Sequence, residues 1–136
     1  MADLSSKKIA IISTDGFEDS ELTSPKEAVE AAGATAHVIA PEAGEIEGKK
    51  GTKVSVDVTT SEANAADYDA LILPGGTVNA DAIRIDADAV NLVKEIQGAG
   101  KPIGVICHGG WILTDADLIK GVKLTSVENV KTDLVN

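Results

Sequence analysis

The stretch KIAIIS at residues 8–13, followed by TDGFEDSE at 14–21, decides how this chain is read. Ile9, Ala10, Ile11 and Ile12 form an unbroken apolar run, where a strand with one wet face would alternate. A short run of this kind, closed by turn residues, fits a strand covered on both faces. Three more runs match it: AHVIA at 36–40, ALILP at 70–74 and PIGVIC at 102–107. Between them lie helical patterns. Residues 25–32 place Ala28, Val29 and Ala32 on one face and stop at Gly33, which predicts a helix starting at Ser24-Pro25. Residues 86–99 repeat the pattern with Val90, Val93 and Ile96 and close at Gly98 and Gly100. KKGTKVSVDVTT (49–60) instead alternates Val54, Val56 and Val58, the period of a hairpin arm at a sheet edge. EAGEIEGKKG (42–51) reads as an exposed loop. Repeated β-α-β units with buried strands imply an α/β sandwich around a mainly parallel sheet.

The 136 residues suit a single domain, 1–136, with a real core. Aromatic residues number only Phe17, Tyr68 and Trp111, so Ile, Val, Leu and Ala must fill that core. The formal charge is −10, with 22 acidic against 12 basic residues. That balance disfavours a nucleic-acid partner and an anionic membrane surface, both of which need clustered cations. No apolar run approaches the length that spans a bilayer. The IAII segment after Lys7-Lys8 is too short for the apolar stretch of a signal peptide. A lone cysteine makes no internal disulfide and suits a reducing, cytoplasmic setting.

In open parallel sheets, ligands gather at the carboxyl ends of the strands. This selects STDGFEDSE (13–21), PEAGE (41–45), PGGTVNAD (74–81) and CHGGW (107–111). Cys107 is the one nucleophile of note. A lone cysteine is commonly a small buried hydrophobe. At a strand-to-helix bend, however, free N–H groups and the helix dipole stabilise a thiolate. The glycines at 109 and 110 permit the sharp turn of a nucleophile elbow. His108, next in sequence, offers its backbone N–H as an oxyanion donor. Its imidazole is open to a role as base, acid, cation or pocket lining. His37, inside a strand run, reads as structural. Gly75 and Gly76 supply strand-end N–H groups that complete an oxyanion hole if they face Cys107. Asp15, Glu18, Asp19 and Glu21 form either a solvated acidic turn or a site in which one carboxyl shares a proton with the thiol. A zinc site on Cys107, a histidine and a carboxylate is a weaker reading, because adjacent residues seldom ligate one tetrahedral ion. No dinucleotide-binding or Walker pattern is present.

GFEDSEL (16–22), LILPGG (71–76), GKPIGVICHGGW (100–111) and LIKGVKLTSVENVKTDLVN (118–136) together resemble the DJ-1/PfpI family, in particular its PfpI-like stress proteins. The resemblance implies a flavodoxin-like three-layer sandwich with Cys107 as elbow nucleophile. It makes Glu21 the carboxyl that hydrogen-bonds the thiol, with Glu18 nearby, and Gly76 and His108 the oxyanion donors. It suggests that Asp81 reaches across a subunit interface to orient the histidine, in a homodimer or higher oligomer. It also suggests one helix from about Phe17 with Pro25 inside it. Two departures stand out. Gly110 replaces the family's usual proline, and the sequence stops where relatives add a strand pair and a last helix. The function implied is a stress-protective cysteine hydrolase of small carbonyls or glycated-protein adducts, deglycase- or glyoxalase-like, needing no cofactor and no metal. The alternatives are a PfpI-type peptidase and a non-catalytic redox sensor or chaperone that uses oxidation of Cys107.

Overall fold

A computed structural model describes residues 5–105, apart from the side chain of Thr77. Strand β1 (Lys8–Ile12) leads to helix α1 (Asp19–Ala31) and strand β2 (Thr35–Ala40). A small excursion follows, made of β3 (Glu45–Glu47), β4 (Lys53–Ser55) and β5 (Val58–Thr59). A 3-10 turn (Ala65–Asp67) precedes β6 (Ala70–Leu73), α2 (Thr77–Ile83), α3 (Ala87–Gly98) and β7 (Ile103–Val105). The main sheet runs β5-β2-β1-β6-β7, and every pairing in it is parallel. The fold is therefore α/β around a parallel sheet, as the apolar runs indicate, and flavodoxin-like, as the family resemblance implies.

Two apolar layers sandwich the sheet. Ala10, Ile12, Ile39, Leu71 and Leu73 pack on one face with Ala89, Leu92, Val93 and Ile96 of α3. Ile11, Ala36, Val38 and Ala40 pack on the other with Phe17, Leu22 and Ile46. Alternate residues of each strand thus serve opposite layers, which is why the runs are apolar apart from His37. Asp86 caps α3 by accepting the Ala89 N–H at 3.1 Å, and its carboxylate also takes the Thr60 hydroxyl at 2.8 Å. His37 pairs with buried Tyr68 through Nδ1 and Oη, 2.9 Å apart, a structural contact within the sandwich. Burial pushes the Tyr68 phenol up, helped by the charges of Asp67 and Asp57.

Three local readings of the sequence are corrected. Helix α1 begins at Asp19 and carries Pro25 in its interior, where the capping signal alone predicts a start at Ser24-Pro25. An interior proline costs about 3 kcal/mol. Full burial of Phe17 and Leu22, both 0% exposed, contributes about 1.5–3 kcal/mol each and outweighs it. EAGEIEGKKG is only partly a loop, because Glu45–Glu47 pairs antiparallel with Lys53–Ser55 and buries Ile46 opposite Val54. The helix α2 directly after the Gly-Gly turn has no counterpart in the sequence reading. Its N-cap, Gly76, supplies no side-chain cap.

Candidate active site

The chain leaves β1 for β2 on one side and later returns to β6 on the other. The order reverses there, and loops at the carboxyl ends of β1 and β6 diverge around a crevice. The segment 13–18 and the turn 74–76 meet at this point. Beside them, Thr14 and Asp15 join Pro41, Glu42, Ala43 and Glu45 in lining a cavity of about 210 Å³.

The four acids of the first loop, equivalent in sequence, have four different jobs. Asp15 accepts the Glu47 N–H at 2.8 Å, while the Gly16 N–H donates to the Glu47 carbonyl, so the loop is tied to β3. Glu18 turns outward to Lys49, 3.3 Å away, in a largely exposed ion pair. Asp19 accepts the N–H groups of Lys50 (2.9 Å) and Thr52 (3.0 Å) and so shapes the turn between β3 and β4. The Thr52 hydroxyl, followed by these backbone donors, holds its carboxyl at about 2, below the usual 3.8. Gly48 packs against it so closely that a Cβ there would lie 2.6 Å from Asp19 Oδ2. Glu21 alone faces the crevice turn, where its Oε1 accepts the Gly75 N–H at 2.8 Å.

The turn itself needs its second glycine. Gly76 has φ +97°, and a Cβ there would stand 2.7 Å from Glu18 N and 2.8 Å from Phe17 Cα and would press on the Gly16 carbonyl. A side chain would push the turn off the 16–18 segment. Gly75 is held on both sides: its N–H donates to Glu21, and its carbonyl accepts the Glu18 N–H at 3.2 Å. The Gly76 N–H makes no hydrogen bond to any other described residue, although Gly76 is buried.

Cys107 and His108, with the glycines at 109 and 110, lie outside the described residues. Strand β7 brings the chain toward them in a defined register, with Val105 opposite Leu73. Asp81 is exposed on α2. Val78 on the same helix and Ile85 just past its end are also exposed, at 66% and 82%. The sequence reading gave no role to Asn79, which is buried behind the turn and reads in sequence only as one more loop residue. Among the described residues, no group of three or more His, Cys, Asp or Glu is placed to hold a metal ion. Nor is any described helix long and apolar enough to cross a membrane.

Comparison with known proteins places the chain in a family. "Putative cysteine protease YraA" of Bacillus subtilis is 44% identical over 132 residues, covering 96% of this chain and 78% of the relative. "Protein/nucleic acid deglycase 2" of Escherichia coli is 43% identical over 133 residues, covering 96% of this chain and 77% of its own length. Among solved structures, a two-domain Anabaena variabilis protein with DJ-1/ThiJ/PfpI-like and ferritin-like domains superposes with a TM-score of 0.91 at 32% identity, over 96% of this chain and 38% of that one. Oxidised DJ-1 of Toxoplasma gondii shares the fold, with a TM-score of 0.85 at 24% identity over 94% of this chain and 71% of its own. The DJ-1/PfpI family profile matches residues 7–136, and with relatives this similar the chain belongs to the DJ-1/PfpI family.

Proposed function

We propose that this protein is a cysteine hydrolase that converts small reactive carbonyls, or their early adducts on proteins, into hydroxy acids. The observation that carries the reading is the Glu21 carboxylate seated on the Gly75 N–H at the point where the strand order reverses. Strand β7 runs parallel to β6 with Val105 opposite Leu73, and so ends at the same edge of the sheet as the Gly75 turn. In this proposal Cys107 shares the crevice with Glu21 and with the Gly76 N–H, which no described residue accepts.

In the proposed reaction the Cys107 thiolate adds to the aldehyde carbon of a 2-oxoaldehyde, forming a C–S bond as the carbonyl electrons move onto oxygen. The N–H groups of Gly76 and His108 receive that oxyanion. Glu21 takes the proton from the former aldehyde carbon and delivers it to the neighbouring carbon. The first carbon is thereby oxidised to a thioester and the second reduced to an alcohol, with no outside oxidant. Water cleaves the thioester, returning the thiol and releasing a 2-hydroxy acid. Residues of the chain supply every group in this sequence, so the proposal includes no cofactor or metal. Within the same proposal the protein is cytoplasmic and works as a homo-oligomer. The exposure of Val78, Asp81 and Ile85 supports that assembly, in which Asp81 would orient the partner's histidine.

A peptidase reading uses the same thioester chemistry, and the name of the YraA relative favours it. Lactate formation from methylglyoxal, measured beside hydrolysis of a fluorogenic peptide, separates the two. Lactate from the wild type and none from Cys107→Ala is the expected result. Peptide cleavage without lactate would move the protein to the peptidase class. Equal lactate from both chains would overturn the mechanism.

A further inference from the structure

Asn79 is 1% exposed and uses its whole amide on the crevice. Its Nδ2 donates to the Pro74 carbonyl at 3.1 Å and the Gly75 carbonyl at 3.0 Å, while its Oδ1 accepts the Thr14 N–H at 2.8 Å. The amide orientation is fixed by these partners, since a flip would set Oδ1 against two carbonyls and the NH₂ against an N–H. One side chain on α2 therefore joins the loop after β1 to the turn after β6.

The consequence lies in the peptide that links Gly75 to Gly76. Its carbonyl and its N–H belong to one planar trans unit and point in opposite directions. With the Gly75 carbonyl drawn toward Asn79 and the Glu18 N–H, the Gly76 N–H must point the other way. No described residue accepts it there. From this geometry we infer that Asn79 is a positioning residue, which sets the direction of the Gly76 N–H and keeps that donor free for the oxyanion. The inference rests on the hydrolase reading for its chemistry and on the hydrogen bonds alone for its geometry.

Asn79→Asp is the sharpest variant. It is isosteric and keeps an acceptor for Thr14, but it replaces the NH₂ donor with an oxygen facing two carbonyls. A displaced catalytic group can cost about 100-fold in rate. The kcat of Asn79→Asp for methylglyoxal should fall about 10- to 100-fold, with KM changed less than about threefold, at a temperature where the variant is folded. Nuclear magnetic resonance should show the Gly75 and Gly76 amide signals moved and the Thr14 amide still protected, whereas Asn79→Ala should expose the Thr14 amide as well. A purely structural role predicts a lower Tm with kcat unchanged below it, and that result would overturn the inference. If wild type makes no lactate, the hydrolase reading fails, and unmoved Gly75 and Gly76 amides in Asn79→Asp would then separately sink the positioning role. Should neither variant fold, the wild type carries the test. Scalar coupling across the hydrogen bond from Asn79 Nδ2 to the Gly75 carbonyl must be present, and its absence would refute the arrangement.

Discussion

Asp19 and Glu21 stand two residues apart in the first turn of α1, and each clamps a glycine-bearing turn, yet the two sites are built differently. The turn between β3 and β4 saturates Asp19 with two backbone N–H groups and a hydroxyl, and the carboxyl drops to about 2. The turn after β6 gives Glu21 a single N–H on Oε1, and among the described residues its second oxygen accepts nothing. A carboxylate with donors on both oxygens is a fastener. One held at a single oxygen is oriented and still able to pass a proton. The difference fits the first turn for stability and, in the proposed reaction, the second for chemistry.

Glu21→Gln tests the second half of that contrast and should have the largest effect. The amide oxygen still accepts the Gly75 N–H, so the fold should persist, while loss of proton transfer lowers kcat about 100- to 10,000-fold. An unchanged rate would remove Glu21 from the reaction. Gly48→Ala should come next, through the other turn. Its methyl meets the Asp19 carboxyl and should destabilise by about 1–3 kcal/mol in denaturant titration, leaving kcat per folded molecule intact.

Asp19→Asn sharpens the comparison through pH. Because the folded carboxyl titrates at about 2 and its ordinary value is 3.8, its stabilising contribution is complete above about pH 4 and is lost as pH falls toward 2. Asn at this position should lower Tm at neutral pH and flatten that acid slope. A slope identical to wild type would show that the turn does not depend on the charge. Lys49→Ala should do least. Its pair with Glu18 is exposed, and thermal unfolding should report less than about 1 kcal/mol.

The sequence made the sheet legible because burial on both faces forces unbroken apolar runs, and Lys8–Ile12, Thr35–Ala40 and Ala70–Leu73 fall where those runs lie. The spacing of Val90, Val93 and Ile96 likewise announced α3, which runs from Ala87 to Gly98 behind its cap Asp86. What escaped was decided by partners distant in the chain. Glu-Ile-Glu at 45–47 has one apolar residue and becomes a strand only when Val54 comes opposite Ile46. Pro25 looked like a helix start because the burial of Phe17 and Leu22 that carries the helix past it is tertiary. In the candidate site, the residues alone could not rank the four acids. Family resemblance singled out Glu21, and the hydrogen bond to Gly75 is what distinguishes it physically. Asn79 left no signal, since an asparagine near Gly-Gly is ordinary turn chemistry until its three partners are brought together.

The most direct test of the account is a crystal structure of the reduced protein, read at one distance, from Cys107 Sγ to Glu21 Oε2. The account predicts a hydrogen bond, about 3.5 Å or less, with the Gly76 N–H directed into the same space. A sulfur enclosed by aliphatic side chains, out of reach of both Glu21 and Gly76, would contradict it.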